Sequence, residues 1–272
     1  MLLSSVIIIL REVMEAAILT SLLLALSYVL KLSRYWFLAA FALGVVGAVG
    51  YAQQFDRVAE WLDGVGQELL NATLHVLIYA CLLLVNVFIL LQARYQSVAV
   101  YLQWSMMGAV SLAITREGVE IYLYLSGFAT SPELFTPVML GGVMGGSIGV
   151  SMGILIYYAF ISLPTTVSLS LGYALLLMVA GNMISQAVRL LMQVDWLPGQ
   201  PAAWNTSDWI REDSITGQLL YALIGYEATP TPIEVQCYLG SLALILLTTG
   251  LVRYVYAKHQ NSHHRLAHVF AR

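Results

Sequence analysis

Arg11-Glu12-Val13-Met14-Glu15 and Arg116-Glu117-Gly118-Val119-Glu120 are two copies of one pattern, R-E-x-x-E, each in the middle of a long apolar run. A charged side chain near the centre of a bilayer-spanning helix costs roughly 2.5 to 3.5 kcal/mol. Six of them cost about 15 to 20 kcal/mol on that scale before any pairing. A sequence that carries this cost twice, in the same pattern, reads as one that uses those carboxylates.

Working outward from the motifs, the surrounding sequence is lipid-compatible. The chain has 272 residues, 60% hydrophobic and 10% charged, where a soluble domain carries about 25% charged residues. Mean hydropathy is +0.80. About 20 apolar residues span the hydrocarbon core. Seven segments meet that length, at 2–30, 35–53, 69–93, 98–128, 138–162, 168–193 and 237–257. The fold class expected is therefore an all-α integral membrane protein with seven transmembrane helices. Residues 1–257 are expected to form the seven-helix membrane domain, with a non-helical outer loop at 194–236, and residues 258–272 a cytoplasmic tail containing His and Arg. The N-terminus lacks a basic leader region and a small-residue cleavage site, so it reads as a first spanning segment and not as a signal peptide. Cys81 and Cys237 form no C-x-x-C pair and read as packing residues.

Lys and Arg in short loops set orientation. With the N-terminus outside, the inner side collects Lys31, Arg34, Arg94, Arg253, Lys258, Arg265 and Arg272, and the outer loops only Arg57 and Arg211. The expected topology is N-terminus out and C-terminus in. The eleven acids outside the motifs all fall on the outer side, where negative charge would concentrate cations. A sequence pI near 5.9 argues against a nucleic-acid partner; membrane lipid is the partner the composition demands. Tyr35, Trp36, Trp196 and Trp209 lie near segment ends and suit interfacial anchoring.

Helix 1 runs inward and helix 4 outward, and both carry R-E-x-x-E. Helices 1–3 and 4–6 thus read as an inverted-topology 3+3 repeat with a seventh helix added, an arrangement that places substrate sites near the midplane. The second helix of each half is rich in small residues: Ala40, Gly44, Gly47 and Gly50 in one, and Gly141, Gly142, Gly145, Gly146, Gly149 and Gly153 in the other. Such spacing lets helices approach closely.

On a helix, Glu12 and Glu15 share a face, as do Glu117 and Glu120. Arg11 stands i−4 from Glu15, and Arg116 i−4 from Glu120, so each arginine supports the site by holding one carboxylate. Two such helices facing each other present four carboxylates with net charge −2, a set suited to a hard cation that prefers oxygen. Ferric iron, manganese, magnesium and calcium all fit that description. A proton relay through the same glutamates and a non-transporting scaffold with structural Arg–Glu pairs remain as other readings. No nucleotide motif or cofactor signature is present in the sequence, and an enzyme is not expected. Weaker candidates for an entry vestibule are Asn71 and His75 in segment 3, and Gln186 and Arg189 within the polar stripe of segment 6 that also holds Asn182 and Gln193; interhelical hydrogen bonds are their plainer explanation. In the tail, His259, His263, His264 and His268 have spacing that could bind a metal, although a basic tail resting on anionic lipid is the plainer reading.

R-E-G-V-E on one transmembrane helix, paired with a first R-E-x-x-E near the N-terminus of a seven-helix chain, resembles the oxidase-dependent high-affinity iron permease family of fungi and bacteria. The outer stretch Trp204-Asn205-Thr206-Ser207, then Leu223-Ile224-Gly225-Tyr226 with Pro230 and Pro232, is similar to the last outer loop of the bacterial members. The resemblance implies iron permeation in a bacterial inner membrane, with Glu12, Glu15, Glu117 and Glu120 as ligands. It also implies that Fe2+ is oxidised outside to Fe3+ before entry, with a separate oxidase or periplasmic iron-delivery protein as partner. The sequence departs from that pattern at Val13-Met14, where the family favours Gly-Leu, at Asn71 in place of a glutamate, at Arg189 in place of a histidine and at Asn205 in place of an aspartate. Manganese, another divalent cation or protons are the alternative cargoes.

Overall fold

The computed structural model describes the backbone of residues 1–92 and 98–270, and side chains as far as residue 255, Pro132 excepted. Every regular element among the described residues is helical. Seven helices are long: α1 (Leu2–Val29), α2 (Tyr35–Ala59), α3 (Gly66–Gln92), α4 (Ala99–Ser126), α5 (Pro132–Ser162), α6 (Thr165–Gln193) and α8 (Pro232–Phe270). A ten-residue helix, α7 (Ile215–Ile224), and a 3₁₀ turn at Trp61–Gly64 complete the order. Among the described residues, five helices are long and apolar enough to cross a membrane, at Tyr35–Ala59, Gly66–Gln92, Glu133–Ser162, Thr165–Gln193 and Pro232–Val255. The motif charges lie on the other two long helices, α1 and α4.

The helices begin and end where local chemistry demands. α8 starts on a capping box: the Thr231 amide donates to Glu234 Oε2 at 2.7 Å, and the Glu234 amide returns to Thr231 Oγ1 at 3.4 Å. Pro132 and Pro232 occupy first-turn positions, where the missing N–H costs nothing. α7 is capped by Ser214, whose hydroxyl accepts from the Gly217 amide at 3.0 Å. It ends at Gly225 with φ +70°, a left-handed cap that glycine adopts without strain.

Packing is organised in pairs. α1 lies along α5, α2 along α4, and α3 along α6, while α4 also packs on α3 and α8 on α6. The small residues explain two of these pairs. A methyl at Gly145 would run into the Val6 carbonyl, and one at Gly149 would sit 2.8 Å from Val13 Cγ1. On the other pair, Gly44 and Gly47 of α2 receive Ile114 and Thr115 of α4, and Gly118 lies against Ala48. Thr115 Oγ1 then reaches across to donate to the Gly44 carbonyl at 3.2 Å. Close backbone approach of this kind supplies the van der Waals contact that holds helices together in lipid, where no hydrophobic drive operates between them.

The common core is built from Met14, Ile18, Leu22 and Leu26 of α1, Ile78 and Leu82 of α3, Leu102 and Met106 of α4, and Leu176 of α6. The outer faces of α2, α5 and α8 carry exposed apolar side chains such as Val46, Val143 and Leu247. A water-soluble surface does not present apolar residues in such continuity.

Several boundaries differ from the sequence reading. α2 runs to Ala59, α5 begins at Pro132, and α8 extends from Pro232 to Phe270. The stretch 194–236, expected to be non-helical, holds α7 and the first turn of α8. A ten-residue helix is half the length a membrane span needs, so a search for spans passes over it. Arg94 lies outside the described residues, and the side chains of His259, His263, His264 and His268 lie outside the described ones.

Candidate metal centre

α1 and α4 meet at their motifs. Carboxylate oxygens of Glu12, Glu117 and Glu120 lie within 4.8 Å of one another, contributed by two helices far apart in sequence. Glu12 and Glu117 are buried and Glu120 is partly so. Helical spacing accounts for this: Glu117 and Glu120 are i and i+3 and share the face that α4 turns toward α1. One oxygen of Glu12 and one of Glu117, both buried, have no hydrogen-bond partner among the described residues. A buried carboxylate oxygen left in that condition is costly, and a bound cation is one way to satisfy it. The arrangement can offer three hard oxygen donors to one ion.

The fourth motif glutamate, Glu15, points into a network of donors. Arg11 Nε reaches its Oε1 at 3.4 Å, and Arg116 on α4 reaches its Oε2 at 3.5 Å. Gln186 Nε2 of α6 donates to the same Oε2 at 3.2 Å. Arg116 is the hub of the centre, because it also pairs with Glu117 and, at 3.0 Å, with Glu120. The expected i−4 pairs Arg11–Glu15 and Arg116–Glu120 are both formed. Sequence spacing gave no sign that Arg116 would also cross to Glu15.

The vestibule candidates fall into two groups. Asn71, His75 and Gln186 form a buried line of hydrogen bonds ending on Glu15. His75 Nδ1 lies 2.8 Å from the Asn71 carbonyl oxygen, and its Nε2 lies 2.8 Å from Gln186 Oε1. Tyr51 of α2 donates to Asn71 Oδ1 at 3.3 Å. Arg189 stands apart: it pairs with Glu227 at 2.6 Å and with Glu234 at 3.2 Å. Burial pushes the Glu227 carboxyl up to about 7; the neighbouring Glu234 and Glu212 charges act in the same direction and Arg189 opposes them.

Sequence reasoning missed Tyr221. Its ring on α7 is flanked by two guanidinium groups, Arg11 at 5.0 Å and Arg189 at 5.7 Å from the ring centre. Asn182 Nδ2 donates to the Tyr221 carbonyl at 2.9 Å and so ties α7 to α6. No motif announces a tyrosine in a short apolar helix. The partners of Arg189 were missed too; Thr231-Pro232-Ile233-Glu234 is a capping-box sequence that marks a helix start and says nothing of an ion pair.

The description of the Iron permease FTR1 family matches residues 2–264. The ferrous iron permease EfeU of Yersinia pestis is 26% identical over 258 residues, covering 87% of this chain and 89% of the relative. The protein of the same name from Escherichia coli O6:H1 is 25% identical over 268 residues, covering 91% and 93%. No solved structure matched. With bacterial relatives of this kind and five helices fit to cross a bilayer, the protein is an integral component of the inner membrane. The chain belongs to the Iron permease FTR1 family.

Proposed function

We propose that this protein imports iron through the seam between α1 and α4, with Glu12, Glu117 and Glu120 as the first ligands and Glu15 as the fourth. The observation that carries the reading is the cluster of three carboxylates from two helices within 4.8 Å, two of them with an unpartnered buried oxygen. Arg11 and Arg116 keep the centre from being too negative between ions. The cargo at the site is ferric iron, a hard cation matched to oxygen donors, formed outside from ferrous iron by a separate oxidase or delivery protein. The relatives' name, ferrous iron permease, describes those proteins and fits an ion that arrives reduced.

Seven spans, with the N-terminus outside, complete the proposal. The helix pairing supports an inverted repeat: exchanging α1 with α4, α2 with α5 and α3 with α6 turns the pair α1–α5 into α2–α4 and the reverse, and maps α3–α6 onto itself. The matching glycine contacts of α5 on α1 and of α2 on α4 support the same symmetry. The tail histidines stay a proposed inner metal site, secondary to the motif centre.

A scaffold reading has one observation in its favour, since both motif arginines are paired with glutamates. Radioactive iron uptake in transport-deficient cells separates the two. Wild type is compared with Glu12→Gln, Glu15→Gln, Glu117→Gln and Glu120→Gln at matched surface amount, with ferrous, ferric and manganese competitors. Loss of uptake in each variant supports the permease; uptake that survives all four changes, or is absent from wild type supplied with an oxidase, leaves the scaffold.

A further inference from the structure

Glu15 differs from the other motif glutamates in what holds it. One of its oxygens is met by Gln186, whose own amide oxygen is met by His75, whose far nitrogen rests against the Asn71 carbonyl. His75 is 1% exposed and Gln186 5%. Buried polar side chains of this kind cost stability unless they are fully partnered, and an apolar pair of the same volume would fill the space between α3 and α6 as well. Their polarity therefore calls for a reason beyond packing.

We infer that Gln186 and His75 are positioning residues for the iron centre, a strut from the α3–α6 pair that sets the angle of the Glu15 carboxylate relative to Glu12, Glu117 and Glu120. The inference rests on the iron-permease reading of that centre. The hydrogen-bond inventory gives the strut a direction. An anionic Glu15 accepts only, so Gln186 must turn its NH2 group toward it. Its Oε1 then faces His75 Nε2 at 2.8 Å, and the Asn71 carbonyl, one helical turn before His75, faces Nδ1 at 2.8 Å. Both are acceptors, so a neutral ring gives its one proton to either the Gln186 or the Asn71 oxygen, and only the doubly protonated ring serves both. Each member thereby fixes the orientation of the next, in the way that partners behind a metal ligand fix its geometry. Without the strut, Glu15 is free to follow Arg11 and Arg116 alone, and the fourth oxygen donor is no longer held at a defined distance from the other three.

The test is the concentration dependence of radioactive iron uptake, normalised to surface copies, in wild type, Gln186→Met, His75→Phe and His75→Gln. Gln186→Met keeps length and removes the amide; His75→Gln keeps a donor aimed at Gln186. Loss of a group that orients a metal ligand weakens a metal site about 10- to 100-fold. The KM for iron is expected to rise by that factor in Gln186→Met and His75→Phe, with Vmax per surface copy within about twofold of wild type and His75→Gln recovering most of the loss. If Gln186→Met does not reach the membrane, Gln186→Glu preserves shape, sets a like charge beside Glu15 and is expected to raise KM as well. An unchanged KM in the variants that reach the surface overturns the inference, whatever happens to their amount. Glu12→Gln run alongside distinguishes the two failures: if Glu12→Gln abolishes uptake while the strut variants keep a wild-type KM, only the strut is wrong. Normal uptake by Glu12→Gln overturns the centre and the strut together.

Discussion

Arg116 on α4 reaches across the helix seam to Glu15 on α1 at 3.5 Å while also pairing with Glu117 and Glu120 on its own helix. One guanidinium thus serves three carboxylates on two helices, and its side chain is only 11% exposed. Arg11 makes one contact with Glu15 at 3.4 Å and is 46% exposed. The two motif arginines are equivalent in sequence and unequal in structure.

That inequality predicts unequal costs. Removing one partner of a buried charge network costs about 3–5 kcal/mol, whereas a pair whose arginine is half exposed contributes less because solvent screens it. Arg116→Leu is expected to lower melting temperature and membrane abundance sharply, and Arg11→Leu, which loses one pair and its contact with the Tyr221 ring, by less. Fluorescence-detected melting of the two variants in detergent checks this; equal effects would mean that Arg116 is not the hub.

Glycines along α5 should differ in tolerance from glycines elsewhere. Gly145→Ala and Gly149→Ala push a methyl onto Val6 and Val13 of α1, and are expected to destabilise by about 1–3 kcal/mol through overpacking. Gly240 and Gly250 of α8 face open space, so their alanine variants are expected to stabilise by roughly 0.5–1 kcal/mol. Thermal melting of the four single variants reads both signs at once.

Glu227 should make the loop between α7 and α8 sensitive to pH. Its carboxyl is pushed up to about 7 from an ordinary 4.5. The folded state therefore holds the proton more tightly than the unfolded chain, and that contribution is full below 4.5 and lost as pH rises through about 7. Wild type should lose melting temperature relative to Glu227→Gln as pH goes from 5 to 8. A difference between the two proteins that stays flat over that range contradicts the expectation.

Tyr221 is expected to act as a clasp between α7 and the motif helix. Two guanidinium–ring contacts at partly buried sites contribute about 0.5–2 kcal/mol each. Tyr221→Leu should lose both, and Tyr221→Phe should keep them. Protease sensitivity of the 194–231 segment in membranes is the readout, with Leu cut faster than wild type and Phe cut like it.

Much of this architecture was legible because it follows from periodicity and charge. The apolar runs marked the seven long helices, the glycine spacing marked the faces that approach closely, and the i, i+3 and i, i+4 relations put Glu117 with Glu120 and Arg116 with Glu120. What stayed hidden depends on side-chain length across a seam, which no spacing encodes. Nothing in the one-dimensional pattern says that Arg116 spans to Glu15, or that Gln186 sits opposite that carboxylate. α7 was missed because a ten-residue apolar helix carries neither the length of a span nor the polarity of a loop.

The glycine contacts have a mechanical consequence. Where α5 meets α1, Gly145 lies against the backbone of Val6 and Leu10, and where α2 meets α4, Gly44 and Gly47 receive the stiff β-branched side chains of Ile114 and Thr115. Each motif helix is therefore bonded to its neighbour as one stiff blade. The α1–α4 seam, by contrast, is closed around the motifs by ion pairs between long side chains, Arg116 to Glu15 among them. A parting of the two blades would carry Glu12 and Glu15 away from Glu117 and Glu120 as intact pairs.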